Sequence, residues 1–173
     1  MRNHIVVLVV VGLALLSGCD SKAAATPRGF LVGDALLSSE ELGPDYRPLG
    51  PTINPSQRLE AVRTGWEPIV GIGLIKQEIY RYESGDQSQL GFQYDSRPVS
   101  SSGWGGEKLA ATRMGFEYET GLDGVLCQFH AQYDEYVVVL TFSDRRIDAS
   151  LRDECTRLIR IVDAKMARLL GYK

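Results

Sequence analysis

VLCQFHAQYDEYVVVLTF, residues 125–142, contains two runs of β-branched and aromatic residues on either side of Asp134 and Glu135. Runs of this composition favour strands, and a two-residue connection between them predicts a β-hairpin. Because such a short loop sets the register, Tyr133 should face Tyr136 and Cys127 should face Phe142. One side of the hairpin is then wholly apolar and should pack on the core of the protein.

The other side of this hairpin mixes polar and apolar residues. It pairs Gln132 with Val137, His130 with Val139 and Gln128 with Thr141. A strand side that faces water usually carries polar residues throughout, so the two valines indicate that this side is partly covered. We expect the cover to come from another segment of the chain, with a ligand or a partner as the alternative.

Trp104 lies between two glycines in residues 98–106, PVSSSGWGG, which have the composition of a loop. A tryptophan in such a loop either offers its ring to a partner or folds back over the core. The candidate binding residues are therefore Trp104, Gln128, His130, Gln132, Val137 and Val139.

The last part of the chain has the periodicity of an amphipathic helix, starting near Asp148 or Ser150 as possible caps. Its apolar residues recur every three or four positions: Leu151, Cys155, Leu158, Val162, Met166 and Leu169. Cys155 lies on this stripe, and Cys127 lies on the apolar side of the hairpin. We therefore predict a Cys127–Cys155 disulfide that joins the helix to the sheet and contributes about 3–4 kcal/mol.

The elements before the hairpin are shorter. Ser38 and Glu41 form a capping box that predicts a short helix ending at Gly43. Four prolines argue against regular structure in residues 43–56. The remaining segments are predicted as one helical turn (residues 58–64), two strands (69–82 and 114–120) and a short helix (84–94). The fold class is therefore α+β: an antiparallel β-sheet with a long C-terminal helix packed on one face, plus short helices.

The first eighteen residues have the layout of an export signal. Arg2 precedes residues 5–16, all twelve of which are apolar or glycine. A spanning helix needs about 20 residues, so this run predicts a signal that is removed. The run ends in Leu16-Ser17-Gly18-Cys19, which resembles the lipobox of bacterial lipoproteins.

The lipobox resemblance implies cleavage before Cys19 and acylation of its sulfur. Palmitate is among the acyl groups that this implies, and membrane lipid is then a partner of the chain. Asp20 after the acylated cysteine implies, in a bacterium with two membranes, retention in the inner membrane facing the periplasm. The predicted organisation is a signal peptide (residues 1–18), the lipidated cysteine with a flexible tether (19–35) and one α+β domain (36–173). A disulfide fits this extracytoplasmic location.

Charge and residue types argue against several functions. The chain has 19 basic and 22 acidic residues, a net charge of −3 at pH 7, and no basic block, which argues against a nucleic-acid partner. His130 is the only histidine beyond the signal, and no second ligand follows at a metal-site spacing, so we predict neither metal nor other cofactor. A cell-envelope enzyme using Glu117, Glu119 or Asp123 is an alternative, because paired carboxylates can perform acid–base chemistry.

A short Leu- and Ser-rich helix (residues 36–42), a strand and helix (75–94) and a final hairpin with a long helix follow one another in this chain. This order is similar in outline to the PsbP-like fold and to the extracellular sensor domains of mycobacterial serine/threonine kinases. The resemblance implies a non-enzymatic binding role. We therefore expect a lipid-anchored, extracytoplasmic binding or sensor-type accessory domain for an envelope protein or a small ligand. A structural subunit of a membrane complex is a further alternative.

Overall fold

The predicted hairpin belongs to a six-stranded antiparallel sheet with the strand order β1-β2-β3-β6-β5-β4. The structure is a computed structural model, and it describes residues 28–50, 52, 60–95, 104–146, 148 and 150–172. The strands are β1 (Tyr46–Pro48), β2 (Glu60–Pro68), β3 (Gly73–Arg81), β4 (Arg113–Gly121), β5 (Gly124–Tyr133) and β6 (Tyr136–Asp144). The helices are a 3₁₀ helix (Val32–Ala35), α1 (Ser39–Leu42), α2 (Gly85–Asp95) and α3 (Ser150–Leu170). This architecture confirms the α+β fold class.

The β5–β6 hairpin has the predicted register, with Tyr133 opposite Tyr136 and Cys127 opposite Phe142. Asp134, in the two-residue turn, has a φ of 47°, in the left-handed region that tight hairpin turns use and that aspartate tolerates. We call the side of the sheet that carries Tyr133 and Cys127 the front face, and the side that carries His130 the back face.

Helix α3 packs on the front face and completes the core, as its apolar stripe predicts. Cys155, Leu158, Val162 and Met166 are fully buried, whereas Leu169 at the end of the stripe is only half-buried. Burying a large aliphatic side chain stabilises a fold by about 1.5–3 kcal/mol. The stripe therefore supplies most of the attraction between this helix and the sheet.

Residues 58–64 were predicted to form a helical turn, and this prediction is wrong for the part that the structure describes. From Glu60 onward the chain forms β2, which pairs with β3 along its length. Val62, Thr64 and Trp66 alternate along β2 and are all buried on the front face. Burial at a period of two residues and pairing with β3 outweigh the weak helical preference of so short a segment.

Residues 43–56 were predicted to lack regular structure, but Tyr46–Pro48 forms the short strand β1. This strand lies at the edge of the sheet and pairs only with β2 among the described strands. Pro48 is tolerated there because an edge strand leaves half of its backbone groups unpaired. The predicted strand at 69–82 is confirmed only from Gly73, since residues 69–72 form the β2–β3 turn.

The other short elements agree with the sequence. Ser38 accepts a hydrogen bond from the Glu41 amide at 3.2 Å, the Glu41 carboxylate accepts one from the Ser38 amide, and α1 ends at Gly43. The predicted helix at 84–94 is α2, and the predicted strand at 114–120 is β4.

The packed domain begins earlier than residue 36, because residues 28–35 lie against the sheet instead of forming a tether. Val32 and Ala35 are buried in the core. The buried side chain of Gln77 holds this segment in place: its Oε1 accepts from the Leu37 amide at 2.8 Å, and its Nε2 donates to the Ala35 carbonyl at 3.2 Å. Gly29 and Gly33 give this segment the composition of a flexible tether, so its packing is not evident from the sequence. Cys19 and the predicted signal peptide lie outside the described residues.

Candidate functional site

Cys127 on β5 and Cys155 on α3 lie at disulfide distance, with their Cα atoms 6.6 Å apart. Neither residue is exposed to solvent. The two predicted placements, one on the apolar hairpin side and one on the helix stripe, meet here between the front face and α3. The cysteine pair therefore joins the C-terminal helix to the sheet.

The polar side of the hairpin is covered by α2, which packs against β5 and β6. Gln132 Nε2 donates to Ser88 Oγ at 2.8 Å and to the Gly85 carbonyl at 3.1 Å. Ser88 in turn donates to the Asp134 carbonyl at 2.5 Å. His130 and Gln132 are consequently buried, and Val137 is fully buried. The expected cover therefore comes from within the chain over this part of the back face.

Trp104 is not part of the same surface as the other candidate binding residues. Its ring packs edge-on against Phe116 of β4 with centroids 5.4 Å apart, on the front face. Its indole Nε1 donates to the Glu107 carbonyl at 3.0 Å. Of the two roles that the loop composition left open, the ring adopts the one in which it folds back onto the core. Gln128, His130, Gln132, Val137 and Val139 share the back face without it.

A charged cluster on the back face was not predicted. Glu78 on β3 accepts hydrogen bonds from Arg63, from Tyr80 at 2.9 Å and from Lys76 at 2.8 Å. Burial by itself would raise the pKa of Glu78, but hydrogen bonds from Lys76, Tyr80 and Arg63 outweigh it and lower the pKa below its usual value. Burial, together with the bond to Glu78, raises the pKa of Tyr80 to about 12. The alternation of charged residues at 76 and 78 is the only sequence signal for this cluster.

The carboxylates considered for an enzyme are spread over the outer edge of the sheet. Glu117 is half-buried and Glu119 exposed on β4, and Asp123 is exposed in the β4–β5 turn. Within residues 28–172, as far as the structure describes them, no group of three or more histidine, cysteine, aspartate or glutamate residues is placed to hold a metal ion.

Another buried carboxylate, that of Asp163 on α3, stabilises the segment that leads into β4. Its oxygens accept from the Ala110 and Ala111 amides at 2.9–3.2 Å and from the Tyr133 hydroxyl at 2.9 Å. Together these hydrogen bonds connect the segment that leads into β4 to helix α3 and to the β5–β6 hairpin. Burial, and next the Asp163 carboxylate, raise the pKa of Tyr133 well above its usual value.

The N-terminal segment is fixed at the turn between β5 and β6. Arg28 contacts the Glu135 carboxylate at two points, Nε–Oε1 at 2.7 Å and Nη2–Oε2 at 2.5 Å. Phe30 stacks on Tyr136 with ring centroids 5.5 Å apart, and the buried Arg81 lies over the same Tyr136 ring. The chain therefore enters the domain at this end of the sheet, which we call the entry end.

The opposite end of the sheet carries four exposed aliphatic side chains, which we call the distal tip. Ile69, Val70 and Ile72 of the β2–β3 turn are 59%, 82% and 60% exposed, and Leu122 of the β4–β5 turn is fully exposed. A cleft of about 560 Å³ adjoins Ile69 and Val70. Its lining is mixed in character: Leu42, Pro44, Asp45, Tyr46, Pro68, Arg146, Glu154 and Arg157 are among its residues. In the sequence, the only sign of the tip is the aliphatic character of residues 69–72. These residues were interpreted as the start of the strand predicted at 69–82.

Comparisons with known proteins add no relative: no protein-family model, no curated protein and no solved structure matches this chain. In the part of the chain that the structure describes, no helix has both the length and the apolar character needed to cross a bilayer.

Proposed function

We propose that this protein is a lipid-anchored extracytoplasmic domain that binds a partner and is not an enzyme. The observation that carries the proposal is the buried Cys127–Cys155 pair at disulfide distance, in a chain whose residues 16–19 have the lipobox order. Disulfides persist in oxidising compartments outside the cytoplasm, which is where a lipoprotein signal would deliver the domain.

The position of Arg28 supports a short connection to the membrane. Only residues 20–27 separate Arg28 from Cys19, and even a fully extended chain of that length covers at most about 30 Å. Two or three acyl chains on Cys19 would give a stable anchor, because each buried methylene contributes about 0.8 kcal/mol. The entry end of the domain would then lie near the bilayer.

The buried titratable groups of the domain serve its structure, which favours a binding role over catalysis. Glu78 is held by three donors on the back face, and Asp163 is held by two amides and a hydroxyl. His130 is buried in the part of the back face that α2 covers. An acid–base catalyst needs a titratable group that can reach a substrate, and these three groups are committed to the fold.

The proposal is tested by expressing the full chain in a bacterial host that is fed labelled palmitate. We expect label in the membrane fraction on a chain that starts at Cys19, and none on the Cys19→Ser variant. Thiol alkylation of the unreduced protein after denaturation should modify neither Cys127 nor Cys155. An unlabelled cytosolic chain that retains residues 1–18 would refute the proposal.

A further inference from the structure

We propose that the distal tip, with the cleft beside it, is a docking surface for an envelope protein that presents an apolar segment. Isolated exposed apolar residues are common on protein surfaces, but several at the same end of a sheet, on two turns separated by the end of β6, favour an interaction site. Ile72 and Asp123 line one common depression, which connects the β2–β3 turn to the β4–β5 turn and hence to Leu122.

Backbone hydrogen bonds hold both ends of the β2–β3 turn of the tip. The Ile69 amide donates to the Asp45 carbonyl at 2.8 Å, and the Arg145 amide donates to the Ile72 carbonyl at 2.9 Å. Between them, Gly71 has a φ of 101°, a conformation that side-chain-bearing residues rarely adopt. These contacts position the backbone on both sides of Val70, so a partner would meet a turn whose backbone is already in place.

The orientation of the domain favours a protein over the anchoring membrane, and this step rests on the proposed lipid anchor. Arg28 lies at the β5–β6 turn, whereas the tip lies at the other end of strands that are nine or ten residues long. Strands of that length extend about 30 Å. With the entry end attached to the bilayer, the tip lies at the end of the domain farther from the attachment point, where other proteins of the envelope can reach it.

Charges around the tip also favour a protein. Asp45 and Asp123 are exposed near it, Arg145 is exposed, and Arg146 is paired with Asp144 at 2.6 Å. An anionic bilayer attracts clusters of unpaired basic residues, each contributing about 1 kcal/mol. Among the described residues, the rim of this tip has no such excess of basic residues. Its mixture of both signs around an apolar centre is typical of a protein interface.

The cleft defines what the partner should present. At about 560 Å³, it has the size of pockets that take a small molecule or a few side chains. Leu42, Pro44 and Pro68 make part of its wall apolar, while Asp45 and Arg157 supply polar groups. The partner segment should therefore carry at least one large apolar residue for the cleft and further apolar residues that pack on Ile69, Val70 and Ile72.

Site-specific photo-crosslinking in cells tests this inference on the full lipidated chain. A benzophenone amino acid is placed at Val70 or Leu122 in the tip, or at Tyr94, an 86% exposed residue of α2, as the control position. We expect one and the same protein to be joined at Val70 and Leu122 and not at Tyr94. Its sequence should contain an exposed apolar segment, and the purified protein should bind the lipidated chain directly.

Matched variants make the result specific. Ile69→Ser with Ile72→Ser should weaken the measured binding roughly tenfold to a hundredfold, because two aliphatic side chains are no longer buried on docking. Leu90→Ser with Tyr94→Ser removes a similar exposed apolar area from α2 and should leave binding unchanged. Both double variants should have the same melting temperature, since all four substituted side chains are more than half exposed.

Several outcomes would overturn the inference: crosslinks to lipid, crosslinks to a second copy of this chain, the same products at all three positions, or no product. Palmitate labelling of Cys19 in the same cells separates this inference from the proposed function. A labelled chain with no tip-specific product refutes only the docking surface. A chain without label refutes the anchor, whatever the crosslinks show.

Discussion

Arg28 and Glu135 are 107 positions apart in the chain, and their side chains form a two-point ion pair at 2.7 and 2.5 Å. The Arg28 side chain is 28% exposed and the Glu135 side chain 10%. This pair fixes the start of the packed domain to the β5–β6 turn. Glu135 also lies 3.5 Å from the buried Arg81, so the pair closes a small charged cluster at the entry end.

Arg28→Ala should lower the free energy of unfolding by about 1–3 kcal/mol, because it removes two charge-assisted hydrogen bonds to a mostly buried carboxylate. Urea unfolding of the chain from residue 20 measures this change. Arg47→Ala is the matched control, since Arg47 and its partner Glu67 are 65% and 35% exposed, and exposed pairs contribute little. Equal losses for both variants would contradict the role assigned to Arg28.

Glu78→Gln should make stability less dependent on pH. The pKa of Glu78 is lowered in the folded state, so its ionised form contributes stability above its unfolded pKa of about 4.3. That contribution is lost as the pH falls through the lower, folded pKa. The variant should be less stable than the natural protein by about 1–3 kcal/mol at neutral pH, with the difference shrinking as the pH falls below about 4.3 and disappearing only below the folded pKa. Denaturant unfolding between pH 3 and pH 8 checks both parts; a difference that does not change with pH would exclude this account.

Removing both sulfurs with Cys127→Ala and Cys155→Ala should cost about 3–4 kcal/mol, because the pair closes a loop of 28 positions. Thermal unfolding with and without a reducing agent provides the measurement. The reducing agent should lower the melting temperature of the natural protein and leave that of the double variant unchanged. Two free thiols in the unreduced natural protein would show that no bond forms.

Asp163→Asn should destabilise the domain by about 2–4 kcal/mol. An amide that accepts through one oxygen cannot replace a buried carboxylate that accepts from Ala110, Ala111 and Tyr133. Asp153→Asn, at an exposed position of the same helix, should change stability by less than about 0.5 kcal/mol. Chemical denaturation compares the two, and amide exchange at Ala110 and Ala111 should accelerate only in Asp163→Asn.

The parts of the fold that sequence predicts well are those in which local residues carry the information. A two-residue loop sets the register of β5 and β6, so the pairing of Tyr133 with Tyr136 follows from the chain alone. Strand β2 was missed because its residues 60–68 become a strand through pairing with β3 and burial of Val62 and Trp66. Neither the pairing with β3 nor this burial can be predicted from the local pattern of residues 60–68.

The candidate site shows the same division. The back-face residues Gln128, His130 and Gln132 were correctly grouped, because alternate residues of a strand share a side. Trp104 was grouped with them wrongly, since its ring packs against Phe116 on the front face. No periodicity specifies on which side of a sheet a loop residue lies.

Local residue patterns are enough to predict the final hairpin, the amphipathic C-terminal helix and the proximity of Cys127 to Cys155, because alternation and helical spacing are properties of neighbouring residues. The tertiary fold brings Arg28 to Glu135 and Asp163 to Ala110, and it places the aliphatic turns at Ile69 and Leu122 at the same end of the sheet. Those contacts join residues far apart in the chain. They form only when the cooperative packing of sheet and helix brings the residues together.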